Sequence, residues 1–283
     1  MDEGSRAEGL IQPVRPLFET LEVTALDAPD TLMPLNVADE VPVRLVFNGI
    51  FPHGTMMLTP ADLADFAFGY CLTEQIVDSA RQIRAVEVVE EGDGLALHIA
   101  ITGDKLAVLL RRRPRAQTGH SSCGLCGSDD VPTPEDAGCT PFSWDNPIAA
   151  EAVRNALHGL EAAQTLNAAT RMVHGAAWAD AQGRILLIRE DIGRHNALDK
   201  LIGARLRDGG LSSAGFCVLT SRYSFEMALK TARAGMEGVV AVSAPTRRAL
   251  HLAERMNQTV IAIARPHRQL VFCGARRLVG REG

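Results

Sequence analysis

Residues 216–242 read FCVLTSRYSFEMALKTARAGMEGVVAV, and this stretch decides the fold. Phe216 to Leu219 is an apolar run of strand length. Ser224 to Ala234 follows, with Phe225, Ala228, Leu229 and Ala232 recurring three and four apart on one helical face, and Val239 to Val242 is a second apolar run. A strand that returns through a helix to a neighbouring strand is the unit of a parallel sheet with helices on its faces. The pattern extends outward. Downstream lie a helix from Thr246 to Met256 and a strand at Val260 to Ala264. Upstream lie a helix from about His195 to Leu206, a hairpin of Met172 to Trp178 and Arg184 to Ile188 around Ala181-Gln182-Gly183, and a helix capped by Asn146-Pro147 with Ala149, Ala152, Val153, Ala156, Leu157 and Leu160 in one stripe. Residues 145–283 are therefore expected to form an α/β domain with a mostly parallel sheet covered on both faces.

The first part of the chain reads differently. Val41 to Phe47 and Met56 to Leu58 are β-like, with Asn48-Gly49 as a turn signal between them. Thr59 suits a helix N-cap and Pro60 the first helical position, with Leu63, Phe66, Ala67 and Tyr70 along the buried face. Arg84 to Val89, Leu95 to Ile101 and Lys105 to Leu110, separated by glycine-containing turns, predict an antiparallel meander. Residues 16–110 thus form a smaller β-rich domain with one helix, preceded by a disordered tail over residues 1–15.

At 283 residues and 46% apolar content the chain is long enough for two cores. A net charge of −5 argues against a general nucleic-acid binder, which needs a dominant basic face. The N-terminus lacks the apolar segment of a secretory signal, and no apolar run approaches the ~18 residues that span a bilayer. A cytoplasmic protein with no membrane partner is expected. Six cysteines, unevenly placed, are too few for a disulfide scaffold. Cys71, Cys217 and Cys273 lie in apolar segments and read as small buried hydrophobes.

Cys123, Cys126 and Cys139 lie in the long polar stretch 111–144, where periodicity disappears. Such a long loop is usually functional or disordered. In Ser121-Ser122-Cys123-Gly124-Leu125-Cys126-Gly127 two thiols stand close enough to meet, flanked by glycines that let backbone N–H groups turn toward a thiolate. Three readings stay open. Cys123, Cys126 and Cys139 with His120 would make a zinc or iron–sulfur site, although no second ligand pair accompanies them. A dithiol–disulfide pair would need a helix start just after a buried strand. A persulfide carrier needs exposure, mobility and a lowered thiol pKa, which the arginines between Arg111 and Arg115 would favour if they do more than solvate a turn.

The ends of the expected strands form a second cluster. Glu190-Asp191-Ile192-Gly193-Arg194-His195-Asn196, Thr220-Ser221-Arg222-Tyr223-Ser224-Phe225-Glu226 and Ser243-Ala244-Pro245-Thr246 each precede a helix, where free N–H groups receive anions. Asn196, Ser224 and Thr246 taken singly read as helix caps. Arg194, His195 and Arg222 in the same stretches raise the set to a candidate site for a phosphorylated, nucleotide-like ligand. No P-loop or dinucleotide fingerprint is present.

These segments together resemble the formate dehydrogenase accessory sulfurtransferases, the FdhD family. The likeness rests on residues 121–127, on residues 190–200, and on Thr220 to Met227. It extends over Asn48-Gly49, Met57 to Asp62, Gly69 to Glu74 and Ala241 to Thr246, and runs from about residue 40 to about residue 277. It implies a protein that takes persulfide sulfur from a cysteine desulfurase and delivers it to the molybdenum cofactor, bis-molybdopterin guanine dinucleotide, for formate dehydrogenase. It also implies a cytidine-deaminase-like fold for the α/β domain, a homodimer, and no structural metal. Cys123 would carry the persulfide, with Cys126 as its partner. Phe272-Cys273-Gly274-Ala275-Arg276-Arg277 would bind cofactor, as would Arg194, His195, Ser221, Arg222 and Ser224. The chain departs from the family pattern at Gly274-Ala275, where Arg-Gly is usual, and at Gln75, where glycine is usual. The deaminase signatures H-x-E and P-C-x-x-C are absent, which disfavours deamination. A non-catalytic cofactor-binding chaperone is the alternative from a different class.

Overall fold

A computed structural model describes residues 14–111, 139–143, 146–210 and 214–280. Cys123, Cys126, His120 and Arg112 to Arg115 lie outside the described residues. The chain begins with an antiparallel hairpin that the sequence reading passes over, β1 (Phe18–Ala25) and β2 (Ala28–Ala38). Its apolar residues settle on no single buried face, and Leu21, Leu32, Met33 and Leu35 all stay exposed. Arg15, expected in the tail, is tied down by a hydrogen bond to the Asp93 carbonyl at 2.7 Å.

β3 (Val41–Phe47) and β4 (Phe51–Leu58) pair antiparallel through Asn48-Gly49, whose φ values of 51° and 71° suit the expected tight hairpin turn. After α1 (Leu63–Thr73) come β5 (Ile83–Glu91) and β6 (Gly94–Ile101), an antiparallel pair as expected. β6 also lies parallel to β3, giving the order β4-β3-β6-β5. The third strand of the meander is instead a helix, α2 (Gly103–Arg111). A short apolar run fits either period. Packing decides for the helix, because Leu106 and Leu109, three apart, both turn to the core under this sheet while Val108 and Leu110 remain exposed. The helical start at Thr59-Pro60 is also corrected: α1 begins at Leu63, because Thr59 is used elsewhere.

The second half contains β7 (Ile148–Ala149), α3 (Ala150–Ala163), α4 (Thr165–Thr170), β8 (His174–Ala179), β9 (Ile185–Asp191), α5 (Arg194–Arg207), β10 (Phe216–Leu219), α6 (Phe225–Arg233), β11 (Gly238–Ala241), α7 (Arg247–Arg255), β12 (Thr259–Arg265), β13 (Arg268–Cys273) and β14 (Leu278–Val279). The stripe on α3 is buried as expected, but the helix starts at Ala150, and Ile148–Ala149 pair with β14 rather than following a cap at Asn146-Pro147. Six strands form one sheet in the order β13-β12-β11-β10-β8-β9. The sheet is mixed rather than mostly parallel. β10, β11 and β12 run parallel, whereas β8 runs against both β9 and β10, and β13 against β12. The connections explain this. α6 and α7 provide the long crossovers that parallel pairing requires, while β8–β9 and β12–β13 are joined by tight turns that permit only antiparallel pairing.

Side chains alternate across this sheet. Trp178, Cys217, Leu219, Val239 and Val260 face α1, α5, α6 and α7, and Ala177, Val218, Val240 and Ile261 face α3. The two halves of the chain meet where α1 lies on α5. A Cβ at Gly69 would sit 1.8 Å from the Asp199 carbonyl oxygen, and one at Gly203 would sit 1.7 Å from that of Asp65. The helices therefore touch backbone to backbone. Among the described residues no helix is long and apolar enough to cross a membrane.

Candidate functional site

β9, β10 and β11 all run in the same direction, so their carboxyl ends open on one edge of the sheet, where α5 and α6 begin. Asp191, the last residue of β9, organises this edge. It is fully buried and pairs with fully buried Lys200 at 2.7 Å. Its carboxylate also accepts hydrogen bonds from the Thr59 N–H at 3.0 Å, the Gly193 N–H at 2.8 Å and Asn196 Nδ2 at 3.0 Å. Thr59 answers in both directions: its carbonyl accepts from Lys200 Nζ at 2.9 Å, and its Oγ1 accepts from the Ile192 N–H at 3.1 Å. Asn196, expected as a cap, instead lies inside α5 and bonds the Met57 carbonyl at 3.0 Å. The β9–α5 turn is thus clamped to the β4–α1 junction by a buried, hydrogen-bonded charge pair. Of the three expected caps, Thr246 acts as one, accepting from the Ala249 N–H at 3.3 Å.

A second buried network lies one turn further down α5. Lys230 Nζ donates to Asp199 at 2.7 and 3.0 Å, to Thr73 Oγ1 at 2.9 Å and to Glu74 at 3.3 Å. Burial opposes the Lys230 charge, but the carboxylates of Asp199 and Glu74 outweigh it and raise its pKa. At the end of α1, Gln75 takes a left-handed conformation, φ 54°, which glycine adopts with less strain.

Between these networks stands His195, only 3% exposed. Neither of its ring nitrogens has a hydrogen-bond partner, and Arg194 Nε, Ser224 Oγ and Asn196 Oδ1 nearby are likewise buried and unmatched. Burial, then the charges of Lys230 and Arg194, lower the His195 pKa to about 3, so its ring is neutral near pH 7. His174, at the start of β8 on the same edge, is also pushed down, by burial and then by Arg194, with Arg222 acting the same way and Asp191 opposing. Ser221 is buried and Arg222 exposed at the rim. The loops that follow β10 and β11 are laced together, the Tyr223 N–H donating to the Ala244 carbonyl at 3.2 Å and the Thr246 N–H to the Tyr223 carbonyl at 3.0 Å.

Arg194, His195, Ser221, Arg222 and Ser224 all lie on this edge of the sheet, in the turns and helix starts that follow β9 and β10. Phe272 to Arg277 are not with them. They lie at the opposite end of the sheet, where Cys273 pairs with Val260 near the start of β12. With strands of this length rising ~3.3 Å per residue, the two groups are separated by on the order of 15 Å. Phe272, Ala275 and Arg276 are exposed there, while Arg277 is buried at 2% exposure. The Arg277 guanidinium donates to the Glu237 carbonyl at 3.1 Å, the Asn257 carbonyl at 3.3 Å, Thr259 Oγ1 at 3.3 Å and the Ser143 carbonyl. Gly274 has φ 70°, and a Cβ on it would lie 2.5 Å from Thr259 Oγ1. Glycine at 274 thus meets both a left-handed backbone and close packing.

Cys71, Cys217 and Cys273 are buried, as expected. Burial raises all three thiols, Cys217 to about 12 and Cys273 to about 11, which makes them poor nucleophiles. Cys139 is half-buried against the main core, and burial raises its thiol too, with Arg233 opposing. Among the described residues no group of three or more His, Cys, Asp or Glu side chains could hold a metal.

The profile of the FdhD/NarQ family matches residues 38–279. The chain belongs to this family. Among curated relatives it is 45% identical over 243 residues to the sulfur carrier protein FdhD of Xanthomonas euvesicatoria pv. vesicatoria, covering 86% of this chain and 85% of the relative. It is 42% identical over 243 residues to the sulfur carrier protein FdhD of Bordetella bronchiseptica, covering 86% and 87%. A crystal structure from Desulfotalea psychrophila, solved under the description of a formate dehydrogenase accessory protein, superposes with a TM-score of 0.72 at 26% identity, covering 93% of this chain and all of that one.

Sequence reasoning missed the supports of the site: Thr59, Glu74, His174, Asp191, Asp199, Lys200 and Lys230. One signal was available. Asp199 and Lys200 stand between Leu198 and Leu201, among core positions of a helix where unpaired charges are not tolerated.

Proposed function

We propose that this protein is a sulfur carrier that moves persulfide sulfur from a cysteine desulfurase to bis-molybdopterin guanine dinucleotide, bound as substrate, in the service of formate dehydrogenase. The observation that carries the reading is the set of buried, unmatched polar atoms on Arg194, His195 and Ser224 at the carboxyl ends of the strands. A folded chain leaves such atoms without partners at a cost of ~1–3 kcal/mol each, and a polar ligand removes that cost. The names of the relatives supply sulfur as the cargo. Burial raises the thiols of Cys71, Cys139, Cys217 and Cys273, which favours Cys123 and Cys126 for thiol chemistry. The cytidine-deaminase-like description of the α/β domain, work in the cytoplasm and a homodimeric state belong to the same reading.

In the first step the Cys123 thiolate attacks the terminal sulfur of the desulfurase persulfide. The donor S–S bond breaks, the desulfurase thiolate leaves, and Cys123–S–SH forms without net oxidation. Delivery as sulfide takes two electrons. Cys126 supplies them by attacking the Cys123 sulfur, which closes a Cys123–Cys126 disulfide and expels HS⁻ toward molybdenum; a cellular dithiol then reduces the disulfide. Incubation with desulfurase and cysteine should add the mass of one sulfur atom by mass spectrometry, and Cys123→Ala should lose it. An undiminished adduct in that variant removes Cys123 from the role. Activation of formate dehydrogenase by Cys123→Ala in cells would favour a cofactor holder instead.

A further inference from the structure

All of the β1–β2 hairpin except Ala38 precedes the stretch that the family profile matches. We infer that the outer edge of β1 is a docking site for a partner protein, which adds an extended segment there as a third strand, with apolar side chains at alternate positions and lysine or arginine between them. The site does not depend on the carrier role proposed above.

One edge of the hairpin is open and the other is blunted. The Asp39 N–H donates to the Leu17 carbonyl at 2.9 Å, and these two residues stand opposite each other in the register that pairs Phe18 with Ala38. Antiparallel pairs alternate between hydrogen-bonded and non-bonded, so Glu19, Leu21 and Val23 turn their backbone groups to β2, whereas Phe18, Thr20, Glu22 and Thr24 turn theirs outward. Among the described residues no strand lies beyond β1 to receive them. On β2, Pro34 stands opposite Glu22, at a position whose N–H would point outward, and the Asn36 side chain ties the strand to α4 through the Ala169 carbonyl at 3.3 Å. β1 contains neither proline nor lysine, the residues that commonly protect an exposed edge.

The side chains select what such a strand must carry. Leu21 lies opposite Leu35 and Val23 opposite Met33, with Val37 on the same face, so this face is an apolar stripe. It is left uncovered, with Leu21 at 41% and Met33 and Leu35 at 44% exposure. A two-stranded hairpin is marginal in water, and a third strand with an apolar face is what steadies it. An incoming strand would lay its own alternate apolar side chains beside Leu21 and Val23. Charge decides the residues between them. From Pro16 to Val43 the sequence holds six acidic residues, Glu19, Glu22, Asp27, Asp30, Asp39 and Glu40, and no lysine or arginine. This excess repels nucleic acid and anionic lipid and favours a basic segment. Main-chain bonds to Phe18, Thr20, Glu22 and Thr24 supply affinity, and the alternating side chains supply specificity.

The test is fluorescence anisotropy of the full-length protein with labelled, end-blocked peptides of about nine residues, long enough to span β1. One peptide alternates valine with lysine, a second alternates valine with glutamate, and a third has the composition of the first with its valines grouped together. The first should bind saturably and the other two at least about tenfold more weakly. Thr20→Pro removes an outward N–H without touching a backbone bond to β2 and should weaken the first peptide at least about fivefold. Leu21→Lys, on the apolar face, should do the same by a route that leaves the backbone alone. Glu90→Lys, on the exposed acidic strand β5, should leave binding unchanged. Absence of binding, equal binding of the three peptides, an equal loss in Glu90→Lys, or wild-type affinity in both Thr20→Pro and Leu21→Lys overturns the inference. So does a parent dimer that sedimentation shows falling apart in both hairpin variants, because a second copy of the chain then holds the edge.

Discussion

Replacing Lys200 by methionine tests whether the buried clamp, rather than apolar packing alone, holds the β9–α5 turn. Met keeps most of the side-chain volume and removes the charge. The Asp191 carboxylate then remains fully buried with three donors, the N–H groups of Thr59 and Gly193 and Asn196 Nδ2, but without its cation, and the Thr59 carbonyl loses its 2.9 Å donor. Breaking a buried pair by removing one partner costs about 3–5 kcal/mol. The three remaining bonds to the carboxylate place Lys200→Met near the lower end, about 3 kcal/mol, and Asp191→Asn should cost a similar amount by stranding the ammonium. The double variant removes both charges and should cost clearly less than the sum of the two, with a coupling of about 2–3 kcal/mol. Urea unfolding of all four proteins, followed by circular dichroism, measures each term. If Lys200→Met unfolds within about 0.5 kcal/mol of the parent, or if the two single costs simply add, the clamp is not what fixes the turn.

Three further outcomes follow from the same geometry. His195 has a folded-state pKa of about 3 against an ordinary 6.5, so the unfolded chain binds more protons between those values and stability falls as pH drops through that window; relative to His195→Gln, the parent should lose up to ~4 kcal/mol between pH 7 and pH 3.5 in urea titrations, and parallel curves would contradict a buried neutral ring. Gly203→Ala pushes a methyl group into the Asp65 carbonyl and should cost at least the upper part of the ~1–3 kcal/mol range for overpacking, read as a lowered melting temperature; an unchanged one would mean that α1 and α5 are not in backbone contact. Arg277→Met leaves the backbone carbonyls of Asn257 and Ser143 without this donor, that of Glu237 keeping the Thr259 N–H, and should destabilise by ~2–3 kcal/mol in urea, so a variant as stable as the parent would mean that this arginine does not tie these segments together.

The sequence by itself determined the elements whose signal is local. The period of α6, the apolar runs of β10 to β12, the Asn48-Gly49 turn, the Thr246 cap and the cluster of basic and hydroxyl residues after β9 and β10 are all set by neighbours within a few positions. Tertiary structure decided what depends on distant partners. Leu106 and Leu109 form a helix because a core lies beneath them. Thr59 leaves its expected cap to serve Asp191, 132 residues away. β8, β9 and β13 make the sheet mixed because their connections are too short for crossovers. Strand direction also put Phe272 to Arg277 at the opposite end of the sheet from the residues after β9 and β10, since which residues share an edge is fixed by how the strands pair, and pairing is a property of the whole sheet.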